Sequence, residues 1–358
     1  MKLVVATLAL GLLISLAAAP GDALAQELAC GTGATTPGPQ VGLILPGSPV
    51  QDPGFNGLGL RGVLLVKQNL GGDCSFIENV SSAQAADLLS QFAEQGADIV
   101  YAQGGEYQSI TAEVAAEFPD TVFINNNFTN PDLPLPANMA VTFIVGEESW
   151  CLAGVLSATL SQSGKGLSVE VDLPSITKPA EAFEFCAQQI NPSFELRRVT
   201  LPFPEGFNDV AGATEATLAA IADGVDVFLP NADQAGTAVI NTVARQNNPN
   251  LLVVATNGDL SELAPDNVII NLLTNAEIAF LAVAQQVVAG TFQGGYTTLG
   301  LANGGTELKY NPATESRVSN ALKATLADYQ QQIISCSLAI PRLLPCVPAS
   351  TVASGPGY

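Results

Sequence analysis

The sequence predicts an α/β fold of two doubly wound, Rossmann-like lobes with a hinged cleft between them. Short apolar segments alternate with segments of helical spacing from Gln40 onwards, which is typical of parallel sheets covered by helices. The pattern occurs twice, because residues 95–100 (QGADIV) match residues 223–228 (DGVDVF), and the strands that follow also correspond, at an offset of about 130 residues. A chain of 358 residues is also long for a single core, so two similar lobes are expected.

The first strand, its loop and the first helix are predicted within residues 41–62 (VGLILPGSPVQDPGFNGLGLRG). The apolar run VGLIL suits a strand buried on both faces of a parallel sheet, and helical spacing begins at Phe55. Ligands of open α/β sheets bind beyond the carboxyl ends of the strands, so Asp52, Phe55 and Asn56 are candidate contacts for a solute. The alternative is an ordinary turn followed by a helix cap.

Three glycines in the first predicted helix, Gly57, Gly59 and Gly62, also spell GxGxxG. The dinucleotide fingerprint needs its first glycine at the tight turn directly after the strand, whereas these glycines fall inside the helix. We therefore expect no nucleotide cofactor. The glycines are interpreted as small residues on a helix face that packs against a sheet.

The remaining segments of the first half continue the alternation of strand and helix. Strands are predicted over residues 74–80, 97–102 and 121–125, and helices from about Ala83 to Gln95 and from about Ser109 to Phe118.

Two lobes whose strand ends face one another form a cleft that can close on a solute by hinge motion. Phe207 follows a predicted strand as Phe55 does, so the two rings are predicted to sandwich a planar ligand from opposite lobes. Alternatively, either ring folds back into its own lobe. The other candidate ligand-binding residues are Gly104 and Asn127 in the first lobe and Asp209, Asn231, Asp233 and Asn257 in the second.

The amino terminus has the three sections of a secretory signal. Lys2 precedes the apolar run Leu3–Ala19, and the small residues that follow predict cleavage after Ala25. We therefore expect an exported protein, in the periplasm or on the extracellular face of the cell membrane. No later apolar run reaches the roughly 18 residues that a transmembrane helix needs.

Six cysteines in an exported chain favour three disulfides. Their positions suggest sequential pairing, although spacing alone leaves other pairings open: Cys30 with Cys74, Cys151 with Cys186, and Cys336 with Cys346. The alternative is a lipid anchor on Cys30. Glu27 stands where a lipobox requires an apolar residue, and lipidation would leave an odd thiol, so an anchor is not expected.

The composition excludes several classes of partner and chemistry. A net charge of -21 argues against nucleic acid and anionic membrane surfaces as partners. The chain has no histidine, which removes the commonest general base and transition-metal ligand. If the cysteines are oxidised, thiolate catalysis and zinc sites are also removed, so no metal site is predicted.

The predicted boundaries leave two interleaved lobes between short terminal segments. They are a signal peptide over 1–25, a flexible linker over 26–39, an N-terminal lobe over 40–148 completed by about 275–300, a C-terminal lobe over 149–274 completed by about 301–346, and a tail over 347–358.

The chain resembles the basic membrane protein solute receptors of ABC importers, whose characterised members bind purine nucleosides. The most specific match is the pattern D-x-x-F-N at residues 52–56. Further agreement comes from Phe118-Pro119, from Glu148 and Gly154, and from Phe207-Asn208-Asp209. The resemblance implies a type I periplasmic binding protein fold, two phenylalanines that flank the base, a membrane permease as partner, and no catalysed reaction.

The chain also departs from that family in the predicted cleft. The positions of the family's two ribose-binding carboxylates are occupied by Asn127 and Asn257, and a lysine of the family is replaced by Thr274. The glycine-rich turn of the second lobe keeps only Gly236 in the stretch 231–236. An asparagine is neutral and both donates and accepts, so the resemblance does not identify the ligand.

We therefore interpret the protein as a monomeric, exported receptor that captures a small planar polar solute and delivers it to an ABC permease. One alternative is a nucleoside or glycoside hydrolase that uses Asp52, Asp209 or Asp259 as acid and base. Another is the ligand-sensing component of a signalling receptor, which would use the same cleft.

Overall fold

The computed structural model describes residues 30–31, 37–50 and 54–346. The predicted signal peptide, the candidate ligand residue Asp52 and the tail over 347–358 lie outside the described residues.

The first lobe is built on a six-stranded sheet in which all neighbouring strands run parallel. Its strands are β1 (Gln40–Ile44), β2 (Asp73–Ile77), β3 (Ile99–Gln103), β4 (Val122–Asn126), β5 (Met139–Ile144) and β11 (Gly295–Leu299). They lie in the order β2-β1-β3-β4-β5-β11. The helices packed on this sheet are α1 (Phe55–Leu70), α2 (Ser82–Glu94), α3 (Gln108–Glu117) and α8 (Ala276–Val288).

The second lobe repeats this topology. Its strands are β6 (Lys165–Val171), β7 (Glu195–Leu201), β8 (Val227–Asn231), β9 (Leu252–Thr256), β10 (Val268–Thr274) and β12 (Thr306–Tyr310). The order β7-β6-β8-β9-β10-β12 corresponds strand for strand to the first sheet, except that β12 runs antiparallel to β10. Its helices are α4 (Gly146–Leu160), α5 (Pro174–Ile190), α6 (Val210–Ala222), α7 (Asp233–Ala244) and α9 (Asn320–Ile334).

The central strands are apolar along their whole length because helices cover both faces of each sheet. Every residue of β3 and of β9 is buried, as expected for strands in the middle of a doubly wound sheet. The predicted fold class, two doubly wound lobes with a cleft, is therefore confirmed.

The GxGxxG glycines lie inside α1, where they allow close packing. A Cβ atom on Gly62 would lie 2.3 Å from the Phe280 ring on α8, and one on Gly59 would lie 2.9 Å from Leu45. Both distances are too short for a side chain. These glycines therefore serve close packing, but Gly62 faces another helix rather than the sheet that the sequence predicted.

The three disulfides follow the predicted sequential pairing. Cys30 bonds to Cys74 at the start of β2. Cys151 bonds to Cys186 between α4 and α5, where both residues are fully buried. Cys336 bonds to Cys346 and closes a short loop after α9. No cysteine of the described chain is free.

The predicted flexible linker is fixed at both of its described ends. The amide of Gly31 donates to the carbonyl of Cys74 at 2.7 Å, and Gly38 packs against Gly71 and Gly72 so tightly that a Cβ atom on it would overlap the Gly72 amide at 2.3 Å. These contacts hold both ends against the strand that carries the first disulfide.

Three crossings between the lobes lie within the described residues, before α4, before α8 and between β11 and β12. The C-terminal loop, residues 336–346, packs against both lobes near the first crossing. Its Ile340 belongs to the second-lobe core, while Leu343 packs against the first. Arg342 forms a 2.6 Å ion pair with Glu148 at the start of α4, and both side chains are about nine-tenths buried. The loop therefore ties the two lobes together at the hinge.

Candidate functional site

A cavity of about 240 Å³ lies between the lobes, at the carboxyl ends of both sets of parallel strands. This is where open α/β sheets bind ligands. Its lining draws on strand ends and helix starts from both lobes, including the first turn of α1, the ends of β4 and β9, and the starts of α4, α5 and α7. Both lobes are therefore needed to complete it.

Phe55 and Phe207 reach this cavity from opposite lobes. Each is only half-buried, although Phe207 also packs against the core of the second lobe. Phe207 does contact its own lobe, since its ring meets that of Phe203 edge to face with centroids 6.2 Å apart. Phe143 and Trp150, both buried, add further aromatic surface. The cavity can therefore hold the apolar faces of a planar solute.

Asparagine side chains supply much of the polar lining, and several of them also bond to the protein. Asn56 accepts from the amide of Gly47 at 2.9 Å, which fixes the loop after β1 to the start of α1. Asn231 donates to the carbonyl of Ile176 on α5 at 3.2 Å. The predicted ligand residues that line the cavity are Phe55, Asn56, Asn127, Phe207, Asn231, Asp233 and Asn257.

Asn127 and Asn257 directly follow the fourth strand of each lobe, and both adopt positive φ, at 77° and 63°. Asparagine tolerates this left-handed conformation better than most residues. Asn127 donates across the cleft to the hydroxyl of Ser175 at 3.2 Å. Asn257 instead accepts from Thr274 of its own lobe at 3.2 Å. The two equivalent asparagines therefore hold different contacts.

Two predicted residues fall outside the lining. Gly104 does not line the cavity, but its neighbours Gly105 and Glu106 do. Asp209 caps α6 by accepting from the amide of Gly212 at 2.8 Å, and the cavity is lined by the adjacent Asn208. In both cases the strand-end loop was predicted correctly, but the turn within it presents a neighbouring residue.

Glu106 is a cavity residue that the sequence analysis missed. It lies in the short 3-10 helix Gly105–Tyr107 that follows β3, and its removal from water raises the pKa of its carboxyl to about 7. An acid after two glycines at a strand end was the available signal. Trp150, the chain's one tryptophan, was also missed. It lies near the start of α4, after the chain has crossed from the first lobe to the second, whereas the candidates were sought in loops within one lobe.

The described lining contains no lysine or arginine, and its ionisable side chains are Glu106 and Asp233. The cavity is thus rich in amides, acidic and partly aromatic. Asp259, which the hydrolase alternative also considered, lies outside the cavity lining. A hydrogen bond from Lys309 at 2.8 Å lowers the pKa of its carboxyl.

The fold and the site define a type I periplasmic solute-binding protein. The family model for ABC transporter substrate-binding proteins described as PnrA-like (Bmp) matches residues 39–343, and the chain belongs to this family. Basic membrane protein A of Borreliella burgdorferi is 24% identical over 308 residues, which cover 85% of this chain and 88% of that protein.

Solved structures share the fold. A solute-binding protein of an ABC transporter system from Conexibacter woesei superposes with a TM-score of 0.69 at 21% identity and covers 85% of this chain and 98% of its own. A similar protein from Aeropyrum pernix has a TM-score of 0.70 at 18% identity, with 85% and 94% covered. The family is one of solute-binding proteins rather than enzymes. Within the described residues, no helix combines the length and apolar character needed to cross a membrane.

Proposed function

We propose that this protein is an exported receptor that captures a nucleoside-like solute in the cleft and delivers it to an ABC permease. The observation that carries the proposal is the pair of half-buried rings, Phe55 and Phe207, that line one cavity from opposite lobes. Family membership supports the receptor role. The rings and amides support the planar, polar character of the solute.

The polar groups around the rings suit the sugar and the base edge of such a solute. Asparagine amides both donate and accept, so they match the mixed pattern of hydroxyls, ring nitrogens and exocyclic groups on a nucleoside. Because closure brings both lobes onto the solute, binding favours the closed arrangement that a permease can distinguish from the open one.

Calorimetric titration with adenosine, guanosine, inosine and uridine tests the proposal. We expect at least one of them to bind one-to-one, and loss of its uptake in cells that lack the protein. Mass spectrometry under non-denaturing conditions identifies any solute carried through purification. A carried solute with no planar ring would contradict the nucleoside-like assignment.

A different measurement distinguishes the receptor from a hydrolase that acts in the same cleft. The observation in its favour is Glu106, since a cleft carboxyl with a pKa near 7 is suited to general acid catalysis. Glycoside hydrolysis requires a second carboxyl across the bond. Overnight incubation with the bound nucleoside, followed by chromatography, should recover it unchanged. Release of free base by wild type but not by E106Q would favour the enzyme.

A further inference from the structure

Glu106 is placed at the cavity by a turn that only glycine fits. Gly104 has φ 136°, and a Cβ atom on it would lie 2.4 Å from Oε2 of Glu106. The next residue, Gly105, is packed closely but less strictly, because its Cβ would lie 3.0 Å from the backbone of Phe128. The two glycines therefore allow the carboxyl to fold over the end of β3 and into the cavity lining.

The carboxyl of Glu106 has more uncommitted acceptor capacity than the neighbouring amides. Asn127 uses its oxygen to accept from the amide of Phe128 at 2.8 Å, and Asn126 accepts from Thr142 at 3.1 Å. For Glu106, the hydrogen bond found among the described residues is to its own backbone amide. A carboxylate can accept about four hydrogen bonds, so most of its sites remain for a solute.

The charges around Glu106 favour a solute without negative charge. Among the described residues, the cavity lining adds a second acid, Asp233, and no basic side chain. A phosphate or carboxylate on the solute would meet like charge there with no compensating cation. Hydroxyl and amino groups, in contrast, would donate to the carboxylate in strong, charge-assisted hydrogen bonds.

Within the described part of the chain, the helices packed against this turn bring no other charge to it. Tyr107 directs its hydroxyl away, donating to the carbonyl of Val80 at 2.5 Å. The acids on α2 and α3 are all exposed to solvent, namely Asp87, Glu94, Glu113 and Glu117. Removal of Glu106 from water is the main cause of its raised pKa, about 7.

We infer that Glu106 is a specificity-determining residue of the cleft, which accepts hydrogen bonds in its ionised form from the hydroxyl or amino groups of an uncharged or cationic solute. This inference rests on the proposed function and adds the class of solute, since phosphorylated nucleosides are excluded.

Binding through ionised Glu106 is linked to proton release. In the free protein, Glu106 is mostly protonated at pH 6 and mostly ionised at pH 8, because its pKa is about 7. If the solute binds the ionised form, the apparent Kd at pH 6 is about tenfold weaker than at pH 8. At pH 6, where most of the free protein carries this proton, binding should therefore release nearly one proton.

The test is calorimetry at pH 6 and pH 8 with the nucleoside that binds wild type, and with its 5′-monophosphate. Titrations repeated in two buffers of different ionisation enthalpy measure the number of protons released on binding. E106Q keeps the shape of the side chain and removes the charge, and E113Q, at an exposed glutamate of α3 outside the cavity, is the matched control. Melting temperatures check that both variants fold.

We expect wild type and E113Q to bind the nucleoside about tenfold more tightly at pH 8, E106Q to bind equally at both pH values, and the monophosphate to bind at least a hundredfold more weakly. Equal nucleoside affinity at both pH values in wild type, a pH dependence retained by E106Q, or tight binding of the monophosphate would each overturn the inference while leaving the proposed function standing. If no nucleoside binds wild type, both are refuted.

Discussion

The two lobes share one topology but present different chemistry to the cleft. Three residues after the third strand, the first lobe places Glu106 and the second places Gln234, and both line the cavity. After the fourth strand, both lobes place an asparagine in the left-handed conformation. Asn127 bonds across the cleft, and Asn257 bonds within its own lobe.

The comparison shows that strand order and backbone conformation are kept where side-chain chemistry has changed. A glutamine is the neutral isostere of a glutamate, so the lobes differ here by one charge on nearly the same shape. The first lobe therefore carries Glu106 and the side chain that donates across the cleft, whereas the second carries an acid, Asp233, directly before Gln234.

Loss of a disulfide should have the largest effect on stability, and the size of that effect should differ between the lobes. Loops of 44 residues for Cys30–Cys74 and 35 for Cys151–Cys186 have nearly equal closure entropies, roughly 4 kcal/mol each in the chain-entropy account. Cys151 and Cys186 are also fully buried in the second-lobe core, so replacing both with alanine leaves a void that costs about 1 kcal/mol more.

Urea unfolding of C151A/C186A and of C30A/C74A measures this difference. We expect both to be destabilised, the second-lobe variant by the larger amount. A greater loss for C30A/C74A would show that the first-lobe disulfide does more than close a loop.

The two rings should both be needed for binding. Replacing Phe55 or Phe207 with alanine removes stacking and apolar contact, and a loss of about 2 kcal/mol corresponds to roughly thirtyfold weaker binding of the nucleoside. F207A should also lower stability by about 1 kcal/mol, because Phe207 packs on Phe203. Calorimetry and melting curves measure both effects.

The control for the rings is F203A, which removes the partner of Phe207 without touching the cavity lining. Its affinity should change less than threefold. If F55A and F207A melt well below wild type but bind as tightly, each ring packs into the core of its own lobe and the predicted sandwich of the ligand is wrong.

The difference between Glu106 and its counterpart Gln234 should also appear in stability without ligand. The pKa of Glu106 is raised from 4.5 to about 7 in the folded protein, so the fold favours its protonated form. Its contribution to stability is fully present below pH 4.5 and is lost as the pH rises through 7. Because the residue is half-buried, we expect a loss on the order of 1 to 2 kcal/mol.

E106Q, which copies the glutamine of the second lobe, should not show this loss. Chemical unfolding at pH 4.5 and pH 8 should find E106Q more stable than wild type at pH 8 only. The exposed Glu113→Gln variant is the control and should follow wild type at both pH values. A parallel pH profile for wild type and E106Q would mean that Glu106 is solvated.

The sequence allowed the fold to be predicted because it depends on local patterns, apolar strands and helical spacing, that repeat in both halves. Phe55, Asn127, Phe207 and Asn257 were found because strand ends converge on one edge of a parallel sheet. Glu106 was missed because its place in the lining depends on the turn at Gly104 and Gly105, and Gly105 packs against the backbone of Phe128 from the loop after β4.

Contacts that join distant parts of the chain were also beyond local patterns. The ion pair between Glu148 and Arg342 links residues 194 positions apart, so no local sequence pattern predicts it. Trp150 reaches the cavity only because α4 begins at the crossing between the lobes.

The smallest expected effects come from removing the hydrogen bonds of Asn127 and Asn257, which should differ in their consequences. Ser175→Ala removes the bond that Asn127 makes across the cleft, and Thr274→Val removes the bond that Asn257 accepts within its lobe. One hydrogen bond contributes about 1 kcal/mol. S175A should therefore favour the open arrangement in the absence of ligand, whereas T274V should lower stability by up to about 1 kcal/mol without changing the spacing of the lobes. Small-angle scattering of the ligand-free proteins reports the spacing, and urea unfolding reports the stability. If S175A leaves the scattering unchanged and T274V expands it, Asn257 rather than Asn127 takes part in holding the lobes together.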